Sequence, residues 1–298
     1  GAPVWADDVT AHEMYKDGKL VGRFFLDMHP RDGKFKHAAS FPIRFGPTSD
    51  GVPVAALLCN FPSGGHETGL MEHDQVETFL HEFGHLIHGM FSGQPDYAAL
   101  AMDNLEWDFI EAPSQMLENW VWDYDTLAKF AKDADGNTIP RDLVDRMVAA
   151  RDLGIGLGTL RQLLYANVSL DYYNRPPSDV DFDEIWNSYQ SDLSPFDTLP
   201  DTHQYANFGH LDGYSAIYYT YQWSLAIATD MFSRFEENGL RDKATAAHYR
   251  DSVLVPGSSK PAADLVHDFL GRDWTPQAYE DHLVNAAESG EADDGDLE

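Results

Sequence analysis

Cysteine, basic side chains and long apolar runs are all scarce in this sequence of 298 residues. The single cysteine, Cys59, excludes an intramolecular disulfide, and its place in the apolar run Val52–Phe61 indicates a small buried side chain. No stretch approaches the roughly 20 apolar residues that a membrane helix needs, so we expect no membrane span. The first residues form neither a basic nor an apolar segment of the kind found in signal peptides, and we expect a cytoplasmic protein.

The shortage of basic residues makes the chain strongly acidic. Fifty Asp and Glu against twenty Lys and Arg give a formal net charge of −30. Such a field repels phosphate backbones and anionic lipid, so nucleic acids and membrane surfaces are excluded as expected partners. The charge favours solubility, and an acidic cleft that attracts cationic peptides is the alternative interpretation. The last segment, residues 288–298, holds six carboxylates and no basic residue, and we expect a disordered tail there.

The pattern of apolar residues divides the chain into a short β region and a long helical one. Aromatic and β-branched runs separated by turn clusters predict strands between residues 20 and 60, and short connections favour antiparallel pairing. The predicted strands are Leu20–Asp27, Lys36–Phe45 and Val52–Asn60. From residue 74 on, helical periodicity dominates. The clearest predicted helices are Asp74–Met90, Leu105–Trp122, Arg141–Asp152, Thr159–Tyr173 and Tyr214–Glu237. We therefore expect one mainly α domain, residues 1–287, with a small antiparallel sheet near its amino terminus.

The segment HEFGH, with His81 and His85 four residues apart, lies inside the first predicted helix. Residues four apart share one helix face, so both imidazoles can reach one zinc ion about 2.0–2.1 Å from each nitrogen. Glu82 then lies beside the metal, where it can take a proton from the attacking water. A helix that carries these residues by chance is the alternative. The apolar flanks oppose it, because burying imidazoles and carboxylates without partners is costly.

A catalytic zinc normally has three protein ligands, and the third is expected to be a carboxylate from another helix. Spacing alone leaves four candidates, which are Glu106, Asp108, Glu111 and Glu118. The second N–H of a zinc-bound imidazole usually bonds to a carboxylate or carbonyl, and Glu118 and Glu77 are candidates for that role. Both are equally compatible with being structural carboxylates. His88 is predicted to pack in the core and not to bind metal.

Two stretches, FLHEFGHLIH and DFIEAPSQMLENWVWD, closely resemble the thimet oligopeptidase family of zinc metallopeptidases. Upstream, GRFFLDMHPRDGKFKHAA and PVAALLCNF are similar to the sheet of that family, and downstream FGHLDGYSAIYYTYQW is similar to its substrate-binding segment. The resemblance implies a zincin-like fold of the gluzincin type. It also implies that His81, His85 and Glu111 hold zinc and that Glu82 is the general base.

The same resemblance assigns the aromatic segment downstream. It implies that Tyr221 and His210 lie near the polarised carbonyl of the substrate, with Tyr221 as the oxyanion donor, and that Tyr214 and Tyr218 bind substrate. From the residues alone, the spacing of the three tyrosines places their hydroxyls on one helix face. An aromatic core stripe explains the same spacing and remains the alternative.

The function expected from the resemblance is hydrolysis of short or unfolded peptides, either internally or by release of carboxy-terminal dipeptides. The resemblance covers only the carboxy-terminal half of a typical family member, whose other half forms the opposite wall of a channel. We therefore expect a second copy of the chain or a separate amino-terminal half as a partner, besides peptide substrates. The alternative function is a zinc-stabilised peptide-binding fragment without turnover.

Overall fold

The computed structural model describes residues 3–46, 51–92 and 100–291, with the strands first and the helices after them. The strands are β1 (Thr10–Lys16), β2 (Lys19–Asp27), β3 (Ala39–Arg44) and β4 (Val54–Leu58). The helices are α1 (His73–Phe91), α2 (Ala112–Glu118), α3 (Tyr124–Leu127), α4 (Arg141–Ala149), α5 (Ile155–Tyr173), α6 (Phe182–Leu193), α7 (His210–Gly213), α8 (Thr220–Asn238), α9 (Lys243–Tyr249), α10 (Ala262–Leu270) and α11 (Gln277–Glu291). The expected class, mainly α with a small sheet, is confirmed. Within the described part of the chain, no helix is both long and apolar enough to cross a membrane.

The four strands form one sheet in the order β1-β2-β4-β3. The pairs β1–β2 and β3–β4 are antiparallel, whereas β2 and β4 run parallel. The prediction of a purely antiparallel sheet is therefore wrong. After β2, residues 28–38 lead to β3 at the opposite edge of the sheet from β1. The next strand, β4, then fills the position between β2 and β3. The apolar β4, with Ala55, Ala56 and Leu57 buried, takes the central position that its composition favours.

Strand β1 was not expected, because its sequence TAHEMYK has neither alternation nor a β-branched core. It lies at one edge of the sheet and is mostly exposed, so burial does not shape its composition. Strand β3 forms the other edge. One face of the sheet packs on α1 through a cluster that includes Phe24, Leu57, Leu86 and Met90. Cys59 belongs to this cluster and is fully buried, which confirms the sequence interpretation of its thiol.

The end of β2 is held by a buried carboxylate, Asp27. Arg31 donates to both of its oxygens at 2.6 and 2.7 Å, and Trp5 Nε1 donates at 2.8 Å. The buried Lys34 Nζ lies 2.8 Å from the same carboxylate and also donates to the backbone oxygen of Cys59. Burial alone would raise the pKa of Asp27, but these donors outweigh it and hold the pKa well below its usual range. The loop that follows β2 is thus fixed to the sheet by charge.

Three predictions need correction, two about where a helix begins and one about the acidic tail. The helix expected at Leu105–Trp122 begins only at Ala112; the residues before it form turns, and a 3₁₀ turn follows at Asn119–Trp122. Pro113 explains the late start, because proline has no N–H to donate and is tolerated only in the first helical turn. At the other end of the chain, α11 extends to Glu291, so residues 288–291 of the predicted tail are helical. Residues 292–298 lie outside the described part.

The third correction concerns the tyrosine segment, which was expected to be one helix from Tyr214 to Glu237. Residues 214–219 instead form turns, and α8 begins at Thr220. Ala216 has a φ of 59°, in the left-handed region that non-glycine residues rarely adopt, and this interrupts the helix between Tyr214 and α8. Behind this segment, α8 packs with α2, α9 and α10 in the largest apolar cluster, around Met116, Met231 and Phe235.

Candidate metal centre

Two imidazoles of α1 and one carboxylate from the start of α2 meet in the interior. Oε2 of Glu111 lies 3.2 Å from Nε2 of His81 and 3.1 Å from Nε2 of His85. One donor atom of each of the three residues lies within 4.8 Å of the others. The side chain of Glu111 is almost wholly buried, and both imidazoles are largely so. The structure thus assembles the three predicted ligands at one point.

A glycine permits this approach of α1 and α2. At Gly84, between the two histidines, an added Cβ would lie 2.6 Å from Cα of Ser114 and 3.0 Å from the backbone oxygen of Pro113. Any larger residue would push the two helices apart. Gly84 therefore allows the backbone of α2 to come close enough for Glu111 to reach both imidazoles.

The carboxylate of Glu111 is fixed by two hydroxyls. Ser114 Oγ donates to Oε2 at 3.1 Å, and Tyr214 donates to Oε1 at 2.7 Å. Burial alone would raise the pKa of Glu111, but His85 and His81 outweigh it and hold the pKa well below its usual range. The group is therefore a charged carboxylate oriented toward the imidazoles.

The remaining carboxylate candidates have other partners. Glu118 Oε1 accepts a hydrogen bond of 2.6 Å from Nδ1 of His81, which confirms it as the partner of that imidazole. Burial would lower the pKa of His81, but its contacts with Glu111 and Glu118 raise it well above the usual range. Glu106 accepts from the backbone N–H of Ala262 at the start of α10.

Two other residues near the histidines stay outside the metal centre. The carboxyl of Glu77 lies close to Glu118, and burial, followed by the charge of Glu118, raises the pKa of Glu77 to about 7. His88 is fully buried, as predicted for a packing residue. Neither of its ring nitrogens has a hydrogen-bond partner among the described residues, and the same holds for Nδ1 of His85.

The three converging groups fit a zinc ion. Two imidazole nitrogens and one carboxylate oxygen are a donor set of catalytic zinc, which leaves a fourth position for water or substrate. Donors that surround one zinc at tetrahedral angles lie about 3.4 Å apart, since each is roughly 2.0–2.2 Å from the metal. The observed separations of 3.1 and 3.2 Å between Glu111 and the two imidazoles are close to that spacing.

Glu82 follows the first of these histidines and is a second buried carboxylate beside the centre. Only 8% of its surface is exposed, and the backbone of Ser40 in β3 lies beside it. Burial raises the pKa of Glu82, and the neighbouring imidazoles offset only part of that rise. A carboxylate whose pKa is raised toward neutrality can both accept and return a proton.

The four aromatic residues of the downstream segment form a cluster on the other side of Glu111. The ring of His210 lies 5.7, 5.1 and 5.7 Å from those of Tyr214, Tyr218 and Tyr221, and the rings of Tyr214 and Tyr221 stack at 5.6 Å. The hydroxyl of Tyr214, whose ring stacks on that of Tyr221, donates to Glu111 at 2.7 Å. Tyr218 donates instead to Gln162 of α5 at 2.9 Å. Tyr214 and Tyr218 lie in the turns before α8, so the cluster does not form on the shared helix face that the sequence predicted.

Polar residues buried in α2 and α8 hold this cluster against the metal centre. Thr220 Oγ1 donates to the backbone oxygen of Trp107 at 2.7 Å, and Ser224 Oγ donates to that of Asp108 at 2.9 Å. Gln115 Nε2 donates to the backbone oxygen of Tyr221 at 2.9 Å. Sequence reasoning passed over these three anchors and Ser114. The sequence could have indicated them, because each is a polar residue at a position that the apolar periodicity of its helix predicts to be buried.

Comparison with known proteins places this arrangement in a family. The family model described as peptidase family M3 matches residues 1–285. The chain is 34% identical over 281 residues to thimet-like oligopeptidase of Dictyostelium discoideum, covering 90% of this chain and 42% of the relative. It is 33% identical over 295 residues to oligopeptidase A of Escherichia coli, covering 94% of this chain and 43% of the relative. The chain thus spans about two fifths of the length of these curated relatives.

Solved structures share the fold at low identity. PZ peptidase A bound to an inhibitor superposes with a TM-score of 0.61 at 15% identity, over 91% of this chain and 44% of that one. Metallocarboxypeptidase 1 of Trypanosoma cruzi superposes with a TM-score of 0.60 at 14% identity, over 90% of this chain and 56% of that one. At such identities the likeness supports the architecture of helices and small sheet described above.

Proposed function

The chain belongs to peptidase family M3, and we propose that it contributes a zinc-dependent catalytic centre that hydrolyses short or unfolded peptides. His81, His85 and Glu111 hold the metal, and Glu82 activates the attacking water. The observation that carries the proposal is the position of Glu111, whose Oε2 lies within 3.2 Å of both imidazoles while Glu82 is buried beside them. A purely structural metal site has no use for that second carboxylate.

The chemistry divides between the metal and the chain. A zinc ion held by these three groups supplies a Lewis acid that polarises a carbonyl and lowers the pKa of a water. Glu82 accepts the proton that the water loses on attacking the scissile carbonyl. The raised pKa of Glu82 favours the return of that proton to the leaving amine, so one group serves as base and then as acid.

The tyrosine cluster supplies donors for the negative charge that develops on the carbonyl oxygen. Burial raises the pKa of Tyr221, so its hydroxyl keeps its proton and remains a donor. On substrate binding this hydroxyl donates to the carbonyl oxygen. Burial lowers the pKa of His210, so its imidazole is neutral and can donate one N–H nearby. Donors preorganised in this way act mainly on the transition state.

The edge of the sheet supports extended binding of the substrate. Strand β3 is an edge strand, and the backbone of its Ser40 lies beside Glu82, so this edge is next to the base. A peptide that adds to such an edge gains main-chain hydrogen bonds regardless of its sequence. We further propose that the site lies in an open groove or is enclosed by another chain.

The second candidate function is peptide binding without turnover, with zinc as a structural element. The limited span of the chain relative to its curated relatives favours it if turnover requires residues from their remaining length. The buried Glu82 weighs against this candidate.

A cleavage assay separates the two functions. Internally quenched peptides are incubated with the purified chain, with the chain treated with a chelator, and with the treated chain after zinc is restored. We expect cleavage that the chelator abolishes and zinc restores, and mass spectrometry of the products then separates internal cleavage from release of dipeptides. Binding of the same peptides without any product would favour the second function.

A further inference from the structure

An exposed indole stands at the rim of the metal centre. Trp107 lies four residues before Glu111, and 52% of its surface is exposed. Its ring meets that of Tyr214 edge to face, with 5.6 Å between centroids and an angle of 85°. Tyr214 is the residue that donates to Glu111, so only one aromatic ring separates the exposed indole from a predicted metal ligand.

The backbone at this indole is fixed. The backbone oxygen of Trp107 accepts from Oγ1 of the fully buried Thr220 at 2.7 Å, which ties the residue to the first turn of α8. Two residues later, Phe109 is buried in the largest apolar cluster. The backbone that carries the indole is therefore held in place. The indole packs against the ring of Tyr214, and about half of its surface is free for another contact.

We propose that Trp107 determines specificity, because its exposed surface receives an aromatic side chain of the peptide beside the scissile bond. The inference rests on the proposed function and names the class of substrate. A bulky ring is held at low entropic cost by a fixed indole, and an aromatic pair prefers the edge-to-face or offset geometry that Trp107 already adopts with Tyr214. Trp107, Tyr214 and the substrate ring then form a continuous stack along one wall of the site.

A second exposed tryptophan provides a matched control. Trp223 is 48% exposed and lies on α8, but its ring packs against Trp274, with 5.4 Å between centroids. Replacing Trp223 removes the same exposed indole from a neighbouring element without touching Tyr214. A general effect of losing an exposed tryptophan would appear in both variants.

The test is the binding of peptides that cannot be cleaved. Two pairs of peptides contain a reduced central peptide bond. The members of the first pair differ by Phe or Ala on the amino-terminal side of that bond, and those of the second pair differ in the same way on its carboxy-terminal side. A peptide with Lys at the same position serves as a cationic probe. Dissociation constants are measured by titration calorimetry for the zinc-loaded protein and for Trp107→Ala, Trp107→Phe and Trp223→Ala. Zinc content and the midpoint of urea unfolding show whether each variant is folded.

For one of the two positions we expect the wild type to bind the Phe peptide about fivefold more tightly than the Ala peptide, the usual range for an aromatic pair. Trp107→Ala should lose this preference, whereas Trp107→Phe and Trp223→Ala should keep most of it. The inference is overturned if the wild type shows no preference for Phe, prefers Lys over Phe, or keeps its preference for Phe in Trp107→Ala. Should Trp107→Ala not fold, an unchanged preference in a folded Trp107→Leu would overturn it equally.

Failure of this inference can be distinguished from failure of the proposed function. An aromatic preference in binding that depends on Trp107, without cleavage of the corresponding ordinary peptides, would support the inference and contradict turnover. Zinc-dependent cleavage, with a preference for Phe that Trp107→Ala does not change, would support the proposed function and contradict the inference about Trp107.

Discussion

The hydroxyl of Tyr214 donates a hydrogen bond of 2.7 Å to Oε1 of Glu111, although 103 residues separate the two in the sequence. The other oxygen of this carboxylate faces His81 and His85. The aromatic segment and the candidate metal centre are therefore one hydrogen-bonded unit. A substitution of Tyr214 should therefore change the affinity for zinc even though Tyr214 is not a ligand.

Tyr214→Phe tests this coupling. The variant keeps the ring but leaves Oε1 of the buried Glu111 without its donor, and loss of such a partner typically weakens metal binding about 10–100-fold. Zinc affinity is measured by competition with a chelator of known affinity. Tyr218→Phe is the matched control, because its hydroxyl donates to Gln162 and not to a ligand. Equal zinc affinity in the wild type and Tyr214→Phe would contradict the coupling.

Glu118→Gln should also weaken zinc binding, by about tenfold or more, because His81 loses the charged acceptor that orients its ring. The same competition assay measures it. Glu77→Gln is the control, since Glu77 is a neighbouring, partly buried carboxyl without a hydrogen bond to His81 in the described structure. If both variants lost the same affinity, the cause would be the local charge and not the contact of Glu118 with His81.

Tyr221→Phe should lower kcat with little change in KM, because its hydroxyl acts on charge that develops in the transition state. Loss of one such donor costs about 10²–10³ in kcat. Steady-state kinetics on a quenched peptide provide both constants, and Tyr218→Phe should have a smaller effect. A rise in KM alone would make Tyr221 a contact to the bound substrate and not a donor to the oxyanion.

Asp27 makes a prediction about stability and pH. Its pKa is lower in the folded protein than the value of about 3.9 in an unfolded chain, so its contribution is complete above that value and is lost as the pH falls toward the folded pKa. Asp27→Asn should lower the free energy of unfolding at pH 7 by about 3 kcal/mol, because it leaves the buried Lys34 without its partner. The variant should also lose less stability than the wild type between pH 5 and 3, which urea titrations at several pH values measure.

The exposed pair of Glu13 and Arg23 supplies the control for that experiment. Glu13→Gln removes an acidic group from the same sheet, but at a position where water screens the charge. We expect its urea midpoint to follow that of the wild type at every pH. A pH dependence of Asp27→Asn that matched the wild type would show that other carboxyl groups cause the acid sensitivity.

The sequence predicted the first helix and the shared face of His81 and His85 well, because apolar periodicity and the spacing of two histidines are local properties. Glu111 could be chosen from four carboxylates only through the family resemblance, since its position depends on the contact of Gly84 with α2. That contact is between residues far apart in the chain, so the local pattern of apolar residues cannot predict it.

Other features depended on the tertiary fold and could not be read locally. The spacing of the tyrosines predicted one helix face, but the left-handed Ala216 interrupts the helix, and Tyr214 and Tyr218 lie in the turns before α8. The parallel pairing of β2 and β4 depends on where the chain crosses the sheet, and an apolar strand such as β4 has the same composition in either direction. The expected helical geometry of the tyrosines was wrong, and their roles toward substrate remain predictions.

The most direct test of the account is Glu82→Gln, compared with the wild type for both zinc content and cleavage. The amide preserves the shape of the side chain but cannot accept a proton from water, and loss of a general base typically costs about 10²–10⁴ in rate. We predict full zinc loading by elemental analysis, an unchanged urea midpoint and loss of nearly all cleavage of a quenched peptide. A fully loaded Glu82→Gln that cleaved at close to the wild-type rate would contradict the proposed mechanism.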